Sequence, residues 1–299
     1  MKSKVIITLL SVIIFAQFVF AKDVGTTMFQ ILQMPVTAYD AALANTSVSG
    51  EVSALVNPSL IPFLFRSLTL SHVVYFEGMR YSVGDINVPL SGKSGINLGF
   101  CYFDSGDMDR MKESGGSYKT NGTFSANDKV FSLSYGTRLG SMFSAGLSLK
   151  YVEQNIDDVS YSNFLVGLNG LCFVSNTVFF TAGIQNFGSD VKGYSMPTSL
   201  YCGLTATLND NTVWVFQLDD YYNEDLCEFK IGLEKKVDKL AMRFGYVVPS
   251  KDYNGTNNAF FTNLTLGLGL DLSVFVIDYA WLPKGDLGNV HMFTVRVNF

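Results

Sequence analysis

The sequence predicts an all-β protein: an antiparallel transmembrane β-barrel of about 14 strands with a partly helical N-terminal plug. Three observations favour this fold class. Hydrophobic residues make up 48% of the 299-residue chain and charged residues only 16%, below the usual quarter. Beyond residue 21, no apolar run is long enough for a helix to cross a bilayer. The apolar residues instead alternate with polar ones, which predicts strands whose outer face meets lipid.

The first element, residues 1–21, is typical of a secretory signal peptide. Two lysines precede a mostly apolar run over residues 5–20, and Ala21 is followed by the charged pair Lys22-Asp23. The run is shorter than the ~20 residues that a spanning helix needs. We therefore expect cleavage after Ala21, with an uncleaved N-terminal membrane anchor as the alternative.

The second element, residues 22–65, differs in composition from the rest of the chain. It is rich in alanine and helical in places, and Asn57-Pro58 interrupts the helical pattern. A fourteen-strand barrel has room in its lumen for a segment of ~40 residues. This segment is predicted to be a plug, or hatch, containing Asn57 and Pro58; a free periplasmic arm is the alternative.

The third element, residues 66–299, is the predicted barrel. A representative strand turns Phe143, Leu147 and Leu149 to one face and small polar residues to the other. The small polar face suits a lumen wall, and the apolar face often ends in aromatics, as at a membrane interface. A soluble β-sandwich would carry more exposed Lys and Glu. The predicted strands are 67–76, 79–89, 94–103, 127–138, 141–153, 159–173, 177–187, 196–208, 211–220, 226–235, 239–249, 258–269, 272–282 and 290–299.

The connections between these strands differ in length. One set is short, and the set between them is mostly longer, with 104–126 the longest. Short turns at one end and long loops at the other are typical of a barrel in the bacterial outer membrane. An even strand count then predicts that both termini are periplasmic.

The chain ends on an alternating strand without a polar tail. Its polar face includes Arg296, and its apolar face holds Phe293, Val295, Val297 and Phe299. We expect this strand to pair with the first and close the barrel, with its apolar face against outer-membrane lipid. These four residues form the predicted barrel-closing signal, and a terminal aromatic is what the barrel-assembly machinery is understood to read during insertion.

Several function classes lack their signals in this sequence. The net charge is −5 with no basic stripe, so no nucleic-acid partner is expected. The four cysteines form no CxxC pair and no EF-hand spacing is present, so neither a metal nor another cofactor is predicted. Only His72 and His291 are available to a hydrolase, and the G-x-S-x-G and HExxH motifs are missing. The chain is therefore predicted not to be an enzyme.

The charged residues of the predicted lumen wall are the candidate ligand contacts. Such groups either bind a carboxylate-bearing ligand or pair with each other and with the plug, and both interpretations stay open. They are Lys150, Glu228, Lys230, Arg243, Asp278 and Arg296. Four valines are also predicted to face inward, where they either line a passage or pack against the plug: Val213, Val215, Val274 and Val276.

Several stretches resemble the PorV/PorQ-type proteins, relatives of FadL-like outer-membrane fatty-acid transporters. "VSALVNPSLIP" (52–62) resembles their Asn-Pro plug segment, and the specific matches are 124–164 and "DYAWLPKGDLGNVHMFTVRVNF" (278–299). "YFDSGDMDR" (102–110) and "IQNFG" (184–188) extend the resemblance over nearly the whole chain beyond residue 21. The resemblance implies a fourteen-strand barrel with Asn57 and Pro58 in an internal hatch. The chain departs from the family at Val56, at Ser59-Leu60 and near residues 41–45, where the usual aromatic, Ala-Gly pair and glycines are missing.

Two functions follow as hypotheses. The first is passage of hydrophobic small molecules, such as fatty acids, through a hatch-gated lumen. The alternative, implied by the PorV-like resemblance, is a shuttle or docking barrel for secreted protein cargo of the type IX secretion system. That role would use extracellular loops, either 104–126 or the acidic segment with Asp219, Asp220, Glu224 and Asp225. The favoured alternative is that these residues are solvated loop tips.

Overall fold

Each barrel strand pairs antiparallel with the strands before and after it, and the last strand pairs with the first. The computed structural model describes residues 27–209, 211–250 and 259–299; the predicted signal peptide lies outside them. Within these ranges, fourteen strands form the closed barrel. They are β1 Ser67–Val74, β2 Arg80–Ser91, β3 Ser94–Asp104, β6 Ala126–Arg138, β7 Phe143–Ile156, β8 Val159–Phe173, β9 Val178–Phe187, β10 Ser199–Asn209, β11 Thr212–Tyr221, β12 Leu226–Val237, β13 Leu240–Pro249, β14 Leu264–Asp271, β15 Phe275–Pro283 and β16 Asn289–Asn298.

The barrel closes between β1 and β16, as predicted. Leu70 lies opposite Val295 in this pair, and the backbone N–H of Phe299 donates to the carbonyl of Arg66 at 3.0 Å. Because β16 ends in a hydrogen-bonded ladder, the last residues need no further packing partner within the chain.

The burial pattern of the strands is inverted relative to a soluble protein. In β1, Ser67, Thr69 and Ser71 are buried, whereas Leu68 and Leu70 are 38% and 56% exposed. The same alternation recurs in the other strands and leaves large apolar side chains exposed around the wall. Exposed apolar surface of this extent calls for an apolar solvent. The fold is therefore a transmembrane barrel with a polar interior.

The helices are short. They are α1 Ala38–Ala42, α2 Ala259–Thr262, and the 3₁₀ helices η1 Gln30–Gln33, η2 Pro58–Phe63, η3 Phe76–Gly78 and η4 Gly285–Leu287. Among the described residues, none of these helices is long and apolar enough to cross a bilayer.

The segment 27–64 lies inside the barrel, and we keep the name plug for it. Helix α1 packs against β13, β14, β15 and β16, and η2 packs against β3, β6, β7 and β8 on the opposite side. Nearly every residue from Thr37 to Ile61 is buried. The plug therefore crosses the lumen and contacts two opposite walls.

Glycines in the barrel wall allow the plug backbone to approach the strands closely. A Cβ added at Gly245 would overlap the backbone of Ala44, and one at Gly136 would overlap the carbonyl of Pro58. Glycine within a strand commonly marks such a close approach. These wall glycines thus leave space for η2 and for the plug backbone just after α1.

Two parts of the strand prediction need correction. The long loop 104–126 contains a separate hairpin, β4 Met108–Ser114 with β5 Ser117–Phe124. The twelfth barrel strand begins at Leu264, because Ala259–Thr262 is helical. The helical turn exposes both Phe260 and Phe261. In the sequence these aromatic residues resemble the start of an alternating strand, but they precede β14.

The two ends of the described chain lie at opposite ends of the barrel. Phe299 is at the end with the short turns, whereas Thr27 forms a bridge with Ser195 in the long loop 188–198. The predicted mature N-terminus, Lys22, lies outside the described residues, so two periplasmic termini stay a prediction. An even strand count fixes only where the strands end, and the plug adds one further pass through the lumen.

Candidate functional site

The predicted plug residues Asn57 and Pro58 hold the plug together. Asn57 is fully buried; its Oδ1 accepts from the backbone N of Ser59 at 3.2 Å and from Ser59 Oγ at 2.6 Å. Its Nδ2 donates to the carbonyl of Ser47 at 2.8 Å. Pro58 occupies the first position of η2, where a missing N–H costs little. The pair therefore caps η2 and ties it to the segment that crosses the lumen.

Helix α1 begins with a capping box that the sequence analysis missed. Thr37 Oγ1 accepts from Asp40 N at 3.1 Å, and Thr37 N donates to Asp40 Oδ2 at 3.2 Å. Asp40 Oδ1 also accepts from Ser53 N at 3.3 Å. Burial raises the pKa of Asp40 from its ordinary 3.8 to about 7. The Thr-x-x-Asp spacing was the available sequence signal for this box.

Two of the predicted lumen charges, Arg243 and Asp278, meet in a buried cluster with Glu234. Arg243 Nε donates to Glu234 Oε2 at 2.7 Å, and Arg243 Nη1 donates to Asp278 Oδ1 at 2.6 Å. The guanidinium also lies over the ring of Tyr39 in α1, a cation–π contact. Sequence reasoning missed Glu234, although it has the inward phase of Glu228 and Lys230.

A second ionic contact joins the plug to the wall. Glu51 of the plug lies 2.6 Å from Lys236 Nζ and 3.8 Å from Arg296 Nη2. Burial raises the pKa of Glu51, but the two cations outweigh it and hold that pKa below its ordinary value. Arg296 is a predicted lumen charge, whereas Lys236 falls in the predicted connection after the strand 226–235. β12 extends to Val237 and carries Lys236 to the plug.

The predicted charges Lys230 and Glu228 form a third cluster with Asp219. Lys230 Nζ lies 3.0 Å from Asp219 Oδ2 and 3.3 Å from Glu228 Oε2. It also donates to the hydroxyl of Tyr221 at 3.2 Å and to the plug carbonyl of Asn45 at 3.4 Å. The position of Asp219 corrects the prediction of an acidic extracellular loop, because β11 continues to Tyr221 and turns Asp219 into the lumen.

Glu224, in the loop after β11, is also not a solvated loop tip. Its carboxylate is buried and accepts from Gln33 Nε2 at 2.8 Å. Thr27 Oγ1 donates to the same oxygen. These contacts attach the first described residues of the plug to the long-loop end of the barrel.

Lys150 differs from the other predicted lumen charges. Its Nζ donates to Asn186 Oδ1 at 2.9 Å, and within the described ranges it forms no ion pair. It lines a cavity of about 60 Å³, the upper cavity, at the long-loop half of the lumen. The apolar part of this lining includes Ile31, Leu32, Met34, Leu55 and Val130. The upper cavity thus combines an unneutralised ammonium with an apolar surface.

A second lumen cavity, the lower cavity, lies at the short-turn end and has a volume of about 430 Å³. Its lining is mixed, and the polar part includes Glu51, Asp85, Asp278, Thr294 and Arg296. Asp85, which sequence reasoning missed, accepts from Asn97 Nδ2 at 2.8 Å. A shallow recess of about 270 Å³ lies on the outer wall around Gly84, between Leu68, Ile86, Leu98 and Phe100.

Three of the four predicted inward valines face the lumen. Val213 and Val215 pack with Val48 of the plug, and Val276 is buried on the lower cavity. Val274 is 52% exposed because it precedes β15, so its prediction is wrong. At Val213 and Val215 the plug-packing interpretation is the one that the contacts support.

The remaining predicted residues lie on the outer wall. Phe293, Val295 and Phe299 are exposed, with Val297 partly so. The His291 ring stacks on the ring of Tyr279, and its Nδ1 lies 2.8 Å from the Tyr279 hydroxyl.

The four cysteines are free. Within the described ranges, no three His, Cys, Asp or Glu side chains are grouped to hold a metal.

No protein-family model and no curated protein matches the chain, but several solved structures are similar to it. The toluene transporter TodX of Pseudomonas putida has 13% identity and a TM-score of 0.62, covering 88% of this chain and 96% of its own. The CymD monoaromatic hydrocarbon channel has 10% identity and a TM-score of 0.62, covering 89% and 98%. A FadL homologue of Pseudomonas aeruginosa has 10% identity and a TM-score of 0.59, covering 89% and 99%.

At these identities the likeness concerns the fold alone. The FadL-like part of the predicted resemblance is confirmed at that level, since each of these barrels matches nearly the whole of both chains. The likeness to PorV/PorQ-type proteins is not tested by these structures and stays a prediction.

Proposed function

We propose that this protein is an outer-membrane channel for hydrophobic small molecules that carry a carboxylate, such as fatty acids, with the plug acting as a hatch. The observation that carries the proposal is Lys150. It is a lumen cation without a carboxylate partner among the described residues, and it faces a cavity lined on its other side by apolar plug residues.

The chemistry of the upper cavity fits an amphiphilic anion. A half-buried ammonium without a counter-ion, such as that of Lys150, is unfavourable. A ligand carboxylate would supply both the opposite charge and a charge-assisted hydrogen bond. The hydrocarbon part of the same ligand exceeds the 60 Å³ cavity, so it would lie against Ile31, Leu32 and Met34 once the plug moves to widen that cavity. An apolar molecule crosses the polar surface layer of a membrane poorly. An apolar pocket within the barrel therefore lowers the free-energy barrier to its passage.

The similar folds support a transport role, because they include a toluene transporter and a monoaromatic hydrocarbon channel. Two exits remain compatible with the geometry. One leads past the plug into the lower cavity, and the other passes laterally through the wall near the outer recess. In both, movement of part of the plug precedes release.

Ligand binding tests the proposal. Purified protein in lipid nanodiscs would be titrated with oleate, and the variant Lys150→Met would be compared with Lys235→Met. Lys235 is an exposed lysine whose ammonium contacts Thr212 and lines neither cavity. Losing a hydrogen bond to a charged group costs about 1.5–3 kcal/mol, so we expect Lys150→Met to weaken oleate binding at least ~10-fold. Binding of an uncharged hydrocarbon of similar size should change little.

Equal oleate affinity in the wild type and in Lys150→Met would contradict the proposal. The alternative shuttle function has no specific support in the described residues. Of its acidic loop, Asp219 lies in the barrel wall and Glu224 binds the plug.

A further inference from the structure

The two lumen cavities adjoin the same wall, and consecutive plug residues line them. Tyr81, Cys101 and Ser132 line the upper cavity, whereas Asp85 and Asn87 line the lower one. In the plug, Leu55 lines the upper cavity and its neighbour Ala54 lines the lower. The boundary between the cavities therefore lies at Leu55.

Leu55 rests on a wall position that has no side chain. A Cβ added at Gly99 in β3 would overlap the Leu55 side chain. In the strand register, Gly99 lies opposite Asp85 in β2 and opposite Ser132 in β6. Gly99 thus separates a residue of the lower cavity from a residue of the upper cavity, and Leu55 fills the gap above it.

The surroundings of this contact are poorly matched to a leucine. Among the described residues, Asn97 Oδ1 and Ser132 Oγ are buried without a hydrogen-bond partner. Asn97 Nδ2 is committed to Asp85, so its amide orientation is fixed and its oxygen is left as an unused acceptor. Burying such groups is unfavourable, and both flank the Leu55 contact: Ser132 lies opposite Gly99 in the register, and Asn97 precedes Gly99 by two residues in β3.

The plug is held more firmly on either side of Leu55. Upstream, Ser47 N donates to Gln217 Oε1 at 2.6 Å, and Thr205 Oγ1 donates to the carbonyl of Val48 at 2.7 Å. Downstream, Ser144 Oγ donates to the carbonyl of Ser59 at 2.7 Å. A local movement of Leu55 can therefore open its contact while both neighbouring anchors stay in place.

We propose that Leu55 is the gate between the two cavities: its side chain on Gly99 closes the lumen, and its displacement joins the upper and lower cavities along β2, β3 and β6. The inference deepens the proposed function, since it gives the hatch a specific moving part. It does not depend on which ligand Lys150 binds.

Reactivity of Cys101 tests the gate directly. Cys101 is a native, buried residue on the upper cavity, two residues beyond Gly99 in β3. With the other three cysteines replaced by serine, it would be treated with a water-soluble methanethiosulfonate in detergent-solubilised protein. We expect Leu55→Ala to raise its modification rate about tenfold or more, because access no longer requires a local opening. Leu55→Met, which keeps the volume, should retain the parent rate.

The matched control is Leu43→Ala, the same truncation at a buried plug leucine that lies against Gly232 on the opposite wall. It should leave the Cys101 rate unchanged. Gly99→Ala is a second, independent variant, since its methyl group displaces Leu55 without shortening it; it should also raise the rate. Circular dichroism would establish that each variant is folded.

Unchanged Cys101 reactivity in both folded variants, Leu55→Ala and Gly99→Ala, would overturn the gate, and so would an equal increase in Leu43→Ala. Thiol access is independent of oleate binding. A failure here therefore leaves the Lys150 result standing, and a failure of oleate binding leaves the gate standing.

Discussion

The guanidinium of Arg243 in the barrel wall lies 4.5 Å from the centre of the Tyr39 ring in the plug. The same guanidinium donates to Glu234 and Asp278, so one wall cation joins two wall carboxylates and the first turns of α1. The ionic cluster of the wall is therefore in direct contact with the plug.

Replacing Arg243 alone should be costly. In Arg243→Met, the buried carboxylate of Asp278 loses its partner and that of Glu234 keeps only Lys236 at 3.5 Å; breaking a buried ion pair from one side costs about 3–5 kcal/mol. The triple variant Glu234→Gln, Arg243→Met and Asp278→Asn removes all three charges and should recover most of the loss. Chemical denaturation in detergent measures both. If the triple variant is as unstable as the single one, unpaired charge is not the cause.

The contact between Glu51 and Lys236 should contribute much less. Both side chains are more than a third exposed, and such pairs contribute about 0–1 kcal/mol with strong screening by salt. We expect Glu51→Gln to lower the unfolding free energy slightly at low salt and not measurably at 1 M salt. A loss that persists at high salt would contradict the interpretation that solvent in the lumen screens this pair.

Stability should depend on pH through Asp40. Burial raises its pKa from 3.8 to about 7, so the folded state holds a proton that the unfolded state releases. Folding stability from this group is therefore greatest at low pH, falls as pH rises from about 4 to 7, and stays low above that. Asp40→Asn should flatten this part of the pH profile of thermal unfolding. An equally steep profile in the variant would assign the pH dependence to other groups.

Removing the plug should open the lumen. The barrel closes through β1 and β16 without using the plug, so a variant lacking residues 22–60 should still fold. In planar bilayers we expect it to conduct ions, whereas the intact protein should remain mostly closed. An unchanged, closed conductance in a folded deletion variant would count against a hatch.

Close packing between plug and wall should make a wall glycine, Gly136, far more sensitive to substitution than Gly92 in the turn between β2 and β3. Gly136→Ala places a methyl group on the carbonyl of Pro58, whereas Gly92→Ala meets nothing within 4 Å. Overpacking of this kind costs about 1–3 kcal/mol, so Gly136→Ala should lower the thermal midpoint and Gly92→Ala should not. Similar midpoints for the two variants would mean that η2 shifts freely away from the wall.

The barrel itself could be predicted closely from the sequence. Alternation with period 2 identified all fourteen barrel strands and the pairing of the last with the first, because it reports which face of a strand meets lipid. Errors arose at the ends of strands, where alternation no longer shows which face of the wall a residue occupies. Phe260 lies in a helical turn and Val274 lies before its strand, and an apolar residue at a strand end fits either face.

The site required the tertiary structure. Inward phase placed Arg243, Asp278, Lys230 and Glu228 in the lumen, but only the fold brought them into clusters with Glu234 and Asp219. It also left Lys150 without an ion partner among the residues that the structure describes. The contacts between the plug and the wall likewise could not be predicted from the sequence.

The sequence by itself therefore determined which residues form the wall and which way they face, since strand periodicity is written along the chain. The tertiary structure alone decided which wall residues the plug covers, that Thr27 reaches the long-loop end, and that Leu55 meets Gly99. Those contacts join residues from separate elements across the lumen, and no local pattern encodes a distance of that kind.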